Sequence, residues 1–411
     1  VMKRVVVTGM SAITALGDDW QTFRAALESG KNAVVHMDNW DYVEGMNTRL
    51  AAPVTHFEKP AHYKRKKVRS MGRVSLMATR TTELALEQAG LIDHPSLTNG
   101  NTGISFGSSI GSTGPIIPFG KMMETGAMAG VTATSYIQMM AHTAPVNVGV
   151  YFGLKGRTIT TSSACTSGSQ GIGYAYEAIK FGKQKVMVAG GAEELCISEA
   201  AVFDTLYATS TKNETPEQTP RPFDKDRDGL VIGEGSCTLI LEELEHAQAR
   251  GATILAELVG FGTNADGVHV TQPTSETMRA ALQLALEDAN LDASQIGYVN
   301  AHGTATDKGD IAESQATYDI LGTKPISSLK SYLGHTLGAC GSIEAWACIN
   351  MMQDNWFAPT ANLENVDEEC APLDYISGEG RPLSTDYVMS NNFAFGGINT
   401  SLIFKRWSSN H

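Results

Sequence analysis

No run of apolar residues in this 411-residue chain approaches the ~18–20 that a membrane-crossing helix requires, so neither a span nor an anchor is expected. The apolar stretch near the start, Val5-Val6-Val7 behind Lys3 and Arg4, is too short for a secretory leader. The six cysteines form no Cys-x-x-Cys pair and no Cys/His spacing of the zinc type, which argues against a disulfide scaffold or a structural metal and fits a reducing cytoplasm. Basic residues are outnumbered, giving a formal charge of −13; a general nucleic-acid binder is excluded, because phosphate contacts need a positive surface. Low-complexity linkers are also missing.

What remains is the composition of a folded enzyme: 42% apolar residues, 18% charged, and 41 glycines, as in a compact chain with many tight turns. The length suggests two or more packed units. Short β-rich runs recur at Val5–Gly9, Thr102–Gly107, Lys185–Gly191, Ile254–Gly262, Ile296–Gly303 and Tyr387–Gly397. Between them, Leu76–Ala89 and Thr277–Ala289 place apolar residues at helical spacing with charged faces between. Alternating strands and helices predict α/β layers. Each of the two helical stretches leads towards a strand, a faint repeat in layout. The boundary is expected near Leu241–Gly260, whose Glu/Arg-rich centre reads as a solvated helix, dividing the chain into 1–250 and 251–411.

Five segments hold residue types suited to chemistry. Cys165 lies where a Thr/Ser-rich strand meets a small-residue turn and a helix from about Gly168. A thiol there feels the positive helix end, which favours thiolate and lowers its pKa; read alone, it is equally a small buried hydrophobe. His302 follows an apolar strand and precedes Gly303, suiting proton handling or a structural hydrogen bond, while the hydroxyls of Thr304 and Thr306 suit an amide-bearing ligand or the turn itself. His335 sits among Gly334, Gly338 and Gly341 at the opening of an apolar helix, where backbone N–H groups can meet an oxygen or glycines can simply permit close packing. Lys330 and Glu344 nearby could be an exposed ion pair. Phe395 with Gly396 and Gly397 reads as a hinge that covers a nucleophile and offers an oxyanion hole, or as a β-bulge. Finally, Lys64, Arg65, Lys66, Lys67, Arg69 and Arg73 form a dense basic cluster, which suits a small acidic partner or a solvated helix face.

Taken together, VVVTGM at 5–10, SSACTSG around Cys165, AGGAEE at 189–194, RPFDKDRDGLVIGEG at 221–235, NAHGTATDKGD at 300–310, KSYLGHTLGACG at 330–341 and NNFAFGGIN at 391–399 resemble the elongating 3-oxoacyl-[acyl-carrier-protein] synthases of the thiolase-like superfamily. The resemblance covers nearly the whole chain. It implies a five-layered α-β-α-β-α fold of two similar halves, a homodimer, and decarboxylative Claisen condensation on carrier-bound acyl groups. It implies Cys165 as the acylated nucleophile, His302 and His335 as its partners, Lys330 as the lysine that orders the site and Glu344 as its support. Phe395 would be the gate, and Thr304 and Thr306 would hold the pantetheine arm. The resemblance further implies that no cofactor or metal is bound for catalysis and that phosphopantetheine arrives on the carrier protein, which the basic cluster would dock. Ile110 falls at a position resembling the acyl-pocket end. Four residues depart from the common pattern: Asn392 for Ser, Ala394 for Gly, Cys340 for Ala, and Lys308 where proline or an apolar residue is usual. Thiolases and chain-initiating synthases differ in their third partner, here supplied by His335. A polyketide or aryl-polyene ketosynthase and a non-catalytic chain-length-factor subunit are the remaining alternatives, the latter lacking the nucleophile.

Overall fold

Val5–Thr14 (β1) is buried along nearly its whole length and lies near the centre of a mixed eleven-stranded sheet in the computed structural model, which describes residues 2–408. The other strands are β2 (Thr102–Gly107), β3 (Thr158–Thr161), β4 (Val186–Glu193), β5 (Gly235–Glu243), β6 (Ala256–Ala265), β7 (Tyr298–Asn300), β8 (Pro325–Ser327), β9 (Asp374–Tyr375), β10 (Tyr387–Phe393) and β11 (Ile398–Arg406). Their spatial order is β9-β8-β7-β10-β11-β6-β1-β5-β4-β2-β3.

One rule generates both sides of this sheet. On one side β1 runs antiparallel to β5 and β5 antiparallel to β4, whereas β4, β2 and β3 are parallel. On the other, β6 runs antiparallel to β11 and β11 to β10, whereas β10, β7 and β8 are parallel. Counted along the chain, with the edge strand β9 set aside, each side reads first, fifth, fourth, second, third. They meet where Val5–Val7 pairs with Ala256–Leu258.

The helices repeat the pattern. Arg73–Ala89 (α1) covers β1, β5 and β4, and Ser275–Ala289 (α3) covers β6 and β11. Each places apolar residues on one stripe and ends in a left-handed residue, Gly90 or Asn290, whose N–H returns to the last turn. Asp307–Leu321 (α4) packs on α3. Ser167–Lys180 (α2) and Cys340–Asp354 (α5) pack on each other and touch strands of both sides, so they form the central layer. The layers are therefore α-β-α-β-α. The central core joins Ile172, Tyr176, Ile343 and Trp346 to strand residues of both sides, and separate outer cores lie under α1 and α3. Being covered all round, α5 is buried over Cys340–Met352, hence its lack of a polar face.

The expected division at 250/251 falls between the helix Leu244–Ala249 and β6; its outer ends, Val1 and 409–411, lie outside the described residues. The Glu/Arg-rich centre of 241–260, expected as a solvated helix, is helical with Glu245 and Gln248 exposed, but its start, Glu242 and Glu243, is buried in β5. Only Leu244–Ala249 is helical, flanked by β5 and β6. Glu242 is wholly buried in β5, where Arg250 contacts both its oxygens at 2.7 Å, His246 approaches at 2.6 Å and Thr8 donates at 2.9 Å. Charge signalled solvent because the compensating cation lies eight residues away. Among the described residues, no helix is long and apolar enough to cross a membrane.

Candidate active site

The stretch Thr161–Ser167 is tied into a turn by its own hydroxyls. Thr161 Oγ1 donates to Ser167 O at 2.7 Å, Ser163 N–H to Ser167 Oγ at 2.9 Å, and Ser167 Oγ to Ala164 O at 2.8 Å. Ala164 takes φ +53°, a strained value for a residue with a Cβ, and a single 3-10 turn then presents Cys165 just before α2. His335 is fixed by its backbone, whose N–H donates to Val231 O at 2.6 Å and whose carbonyl accepts from Gly233 N–H at 2.9 Å. Glycine brings the two segments together. A Cβ on Gly341 would lie 2.4 Å from Ser169 N and one on Gly168 would lie 2.8 Å from Gly338 O, so the starts of α2 and α5 touch as no other residue pair would allow. Of the two readings offered for the glycines around His335, close packing is the one seen at Gly338 and Gly341.

The outcome is a convergence of three side chains. His335 Nε2 lies 3.0 Å from Cys165 Sγ, the His302 and His335 rings cross at 89° with centroids 5.1 Å apart, and the sulfur and one nitrogen of each ring lie within 4.8 Å of one another. Tautomers follow from the neighbours. Leu337 N–H donates to His335 Nδ1 at 3.2 Å, and Lys330 Nζ and Asn392 Nδ2 stand 3.1 and 3.2 Å from His302 Nδ1, so both rings carry their proton on Nε2. His302 is held further by Glu313, whose two oxygens accept the N–H groups of His302 and Gly303 at 2.7 Å each.

Lys330 and Glu344 are not a surface pair. They meet at 2.7 Å with side chains 2% and 3% exposed, and Asn300 and Asn392 also donate to Glu344, at 3.0 and 3.3 Å. Burial opposes the ammonium, but Cys340, Glu344 and Glu313 together hold Lys330 above its ordinary pKa. Burial, reinforced by Lys330, pushes both histidines well below the usual range, leaving neutral imidazoles. Burial pushes Glu313 up to about 8.

The thiol departs from expectation. Burial raises Cys165 to about 11, outweighing the N–H of Phe395, the charge of Lys330 and its own N–H, all of which lower it. Desolvation by burial, where neither neighbouring ring is cationic, overrides the favourable helix end.

A cavity of about 410 Å³ leads from Cys165, His302 and His335 past Thr304 and Thr306, whose hydroxyls lie 3.0 Å apart. Phe395 bounds it, half-buried with its ring 5.1 Å from that of Phe203. The loop holding it is a hairpin turn from β10 to β11 and not a bulge: Ala394 N–H donates to Ile398 O at 2.8 Å, Gly397 N–H to Ala394 O at 3.0 Å, and Gly396 and Gly397 sit at φ +88° and +77°. Gly396 N–H reaches Val270 O at 2.7 Å. Ile110 is half-buried beside Ser109 and does not line this cavity.

The basic cluster is divided. Lys64, Arg65, Lys66, Lys67 and Arg69 are exposed around the short helix Arg65–Val68. Arg73 instead turns inward, half-buried, pairing with Glu234 at 3.1 Å and donating to Val54 O at 2.9 Å. Sequence reasoning gave no role to Asn300, Asn392 or Glu313. Glu313 was the most accessible of these: it lies eleven residues past His302, on the helix face turned back towards the strand end.

The Beta-ketoacyl synthase, N-terminal domain model matches residues 2–247 and the Beta-ketoacyl synthase, C-terminal domain model residues 255–364. The chain is 38% identical to 3-oxoacyl-[acyl-carrier-protein] synthase 2 of Vibrio cholerae, over 98% of this chain and 99% of that protein. A solved Beta-ketoacyl synthase from Burkholderia phymatum is 63% identical and superposes with a TM-score of 0.98, covering 99% of this chain and 100% of that one. A type II polyketide ketosynthase solved in complex with its acyl-carrier protein is 28% identical, with a TM-score of 0.87 over 99% of this chain and 100% of that one. With both domain models matched in order and the mixed layered sheet in place, the chain belongs to the beta-ketoacyl synthase family and has its thiolase-like fold.

Proposed function

We propose that this chain is a 3-oxoacyl-[acyl-carrier-protein] synthase that lengthens acyl chains by two carbons. The observation carrying this reading is the meeting of one sulfur and two neutral imidazoles at the inner end of a single cavity. In the first half-reaction the Cys165 thiol adds to the acyl thioester, its proton leaves with the carrier thiol, and the acyl group stays on Cys165. In the second, a malonyl thioester loses carbon dioxide, and the electrons of the broken C–C bond move into its thioester as an enolate. The Nε2–H groups of His302 and His335 stabilise that oxygen. The enolate carbon attacks the acyl-Cys165 carbonyl, the C–S bond breaks, and the Cys165 thiolate takes a proton from water. The backbone N–H groups of Cys165 and Phe395, both directed at the sulfur, stabilise the tetrahedral oxyanion.

In this reading Lys330 and Glu344 orient His302, Thr304 and Thr306 bind the pantetheine amides, Phe395 gates the cavity, and the exposed cations of 64–69 meet an acidic carrier protein. A second copy of the chain is the proposed partner in a homodimer. Helix Ile116–Thr125 has no buried residue, and Ile117, Met123, Met128, Tyr136 and Val150 are exposed, an apolar surface that a second copy would cover. Cys165 and both histidines stand against a non-catalytic subunit. The test is condensation of acyl- with malonyl-carrier protein across chain lengths. A two-carbon-longer 3-oxoacyl product supports the reading, iterative polyketide products favour the polyketide alternative, and no product refutes both.

A further inference from the structure

We propose that Lys308 is the phosphate-recognition residue at the mouth of the cavity, an inference that rests on the condensing reading above. A carrier-borne arm brings a phosphate to this mouth. Among the described residues lining the cavity, Lys308 is the one lysine or arginine, whereas three carboxylates, Asp266, Asp307 and Glu313, line the same space. Each carboxylate is already engaged. Asp266 accepts from Asn399 at 2.9 Å and from Thr277, Asp307 pairs with Arg227 at 3.3 Å, and Glu313 receives the N–H groups of His302 and Gly303.

Lys308 itself is exposed and has no ion-pair partner among the described residues. It follows the Thr304/Thr306 hydroxyl pair by two residues, at the outer end of the path to Cys165. Other exposed lining residues, Leu206, Tyr207, Val270, Thr271 and Gln272, bring apolar surface and neutral hydroxyl or amide groups but no positive charge. The exposed cluster at 64–69 contributes no residue to the cavity lining, so docking of a protein surface and recognition of the phosphate on its arm are separate tasks for separate cations.

The direct test is titration calorimetry with two small probes, phosphopantetheine and pantetheine, which differ by the phosphate alone. Wild-type protein is expected to prefer the phosphorylated probe about fivefold, the size of an exposed ion pair. Lys308→Glu should abolish that preference, Lys308→Arg should retain it, and raised salt should shrink it. Equal affinity of wild-type protein for the two probes, or an undiminished preference in Lys308→Glu, overturns the proposal. Failure of the condensing reading is seen separately, as absence of acylation of wild-type Cys165 by an acyl-pantetheine thioester.

Discussion

His335 Nε2 stands 3.0 Å from Cys165 Sγ while Leu337 N–H occupies Nδ1, so the imidazole meets the sulfur as a donor and not as a base. It can stabilise a thiolate or an enolate oxygen but cannot take the thiol proton without changing tautomer. The same polarity holds at His302, where Lys330 and Asn392 face Nδ1.

Both rings are neutral because burial and Lys330 hold them well below 6.5. Decarboxylation of malonyl-carrier protein should therefore be level as pH falls through 6.5, and decline only at lower pH where the rings gain protons. Carbon dioxide release against pH checks this; an inflection at 6.5 would mean an exposed, ordinary histidine. His335→Ala should slow the step about 10²- to 10³-fold, as loss of an oxyanion donor does.

The Lys330–Glu344 pair is dry, and removing one partner leaves an uncompensated buried charge. Glu344→Ala should destabilise the protein by about 3–5 kcal/mol. Urea denaturation followed by circular dichroism reads this, and a loss below ~1 kcal/mol would place the pair in solvent.

Cys165, raised to about 11 by burial, should alkylate with iodoacetamide at a rate that climbs through pH 8–10 without levelling, since the thiolate fraction rises with pH until the pKa is passed. A plateau near neutrality would contradict the desolvated thiol described here. Phe395→Ala, which removes the ring packed on Phe203 at the cavity wall and, in the proposed reading, the gate, should speed the same reaction at fixed pH.

Exposed cations at 64–69 should act through encounter with the carrier protein. Lys66→Glu with Lys67→Glu is expected to raise KM for acyl-carrier protein several-fold, less so at high salt, with kcat unchanged. Arg73→Ala should instead lower stability, because Arg73 serves Glu234. Steady-state kinetics and thermal unfolding separate these two outcomes.

Local signals made much of this molecule legible. Cys165, His302 and His335 each stand at an end of an element beside glycine or small hydroxyl residues, and both amphipathic helices carry their stripe in the sequence. The strand-order repeat showed only as a faint layout, because sheet neighbours such as β1 and β5 are over two hundred residues apart. Partners hid burial in the same way. Glu242 and Lys330 look like surface charges until Arg250 and Glu344 are folded onto them. The raised pKa of Cys165 is not legible in the sequence, which shows the helix end beside a thiol but not the desolvation around it.

Intact-protein and peptide mass spectrometry after incubation with acyl-carrier protein tests the central claim most directly. One acyl increment on the peptide bearing Cys165, absent in Cys165→Ala and discharged when malonyl-carrier protein is added, is the expected result. An increment that survives in Cys165→Ala, or an acyl group on Cys165 that malonyl-carrier protein does not remove, would contradict it.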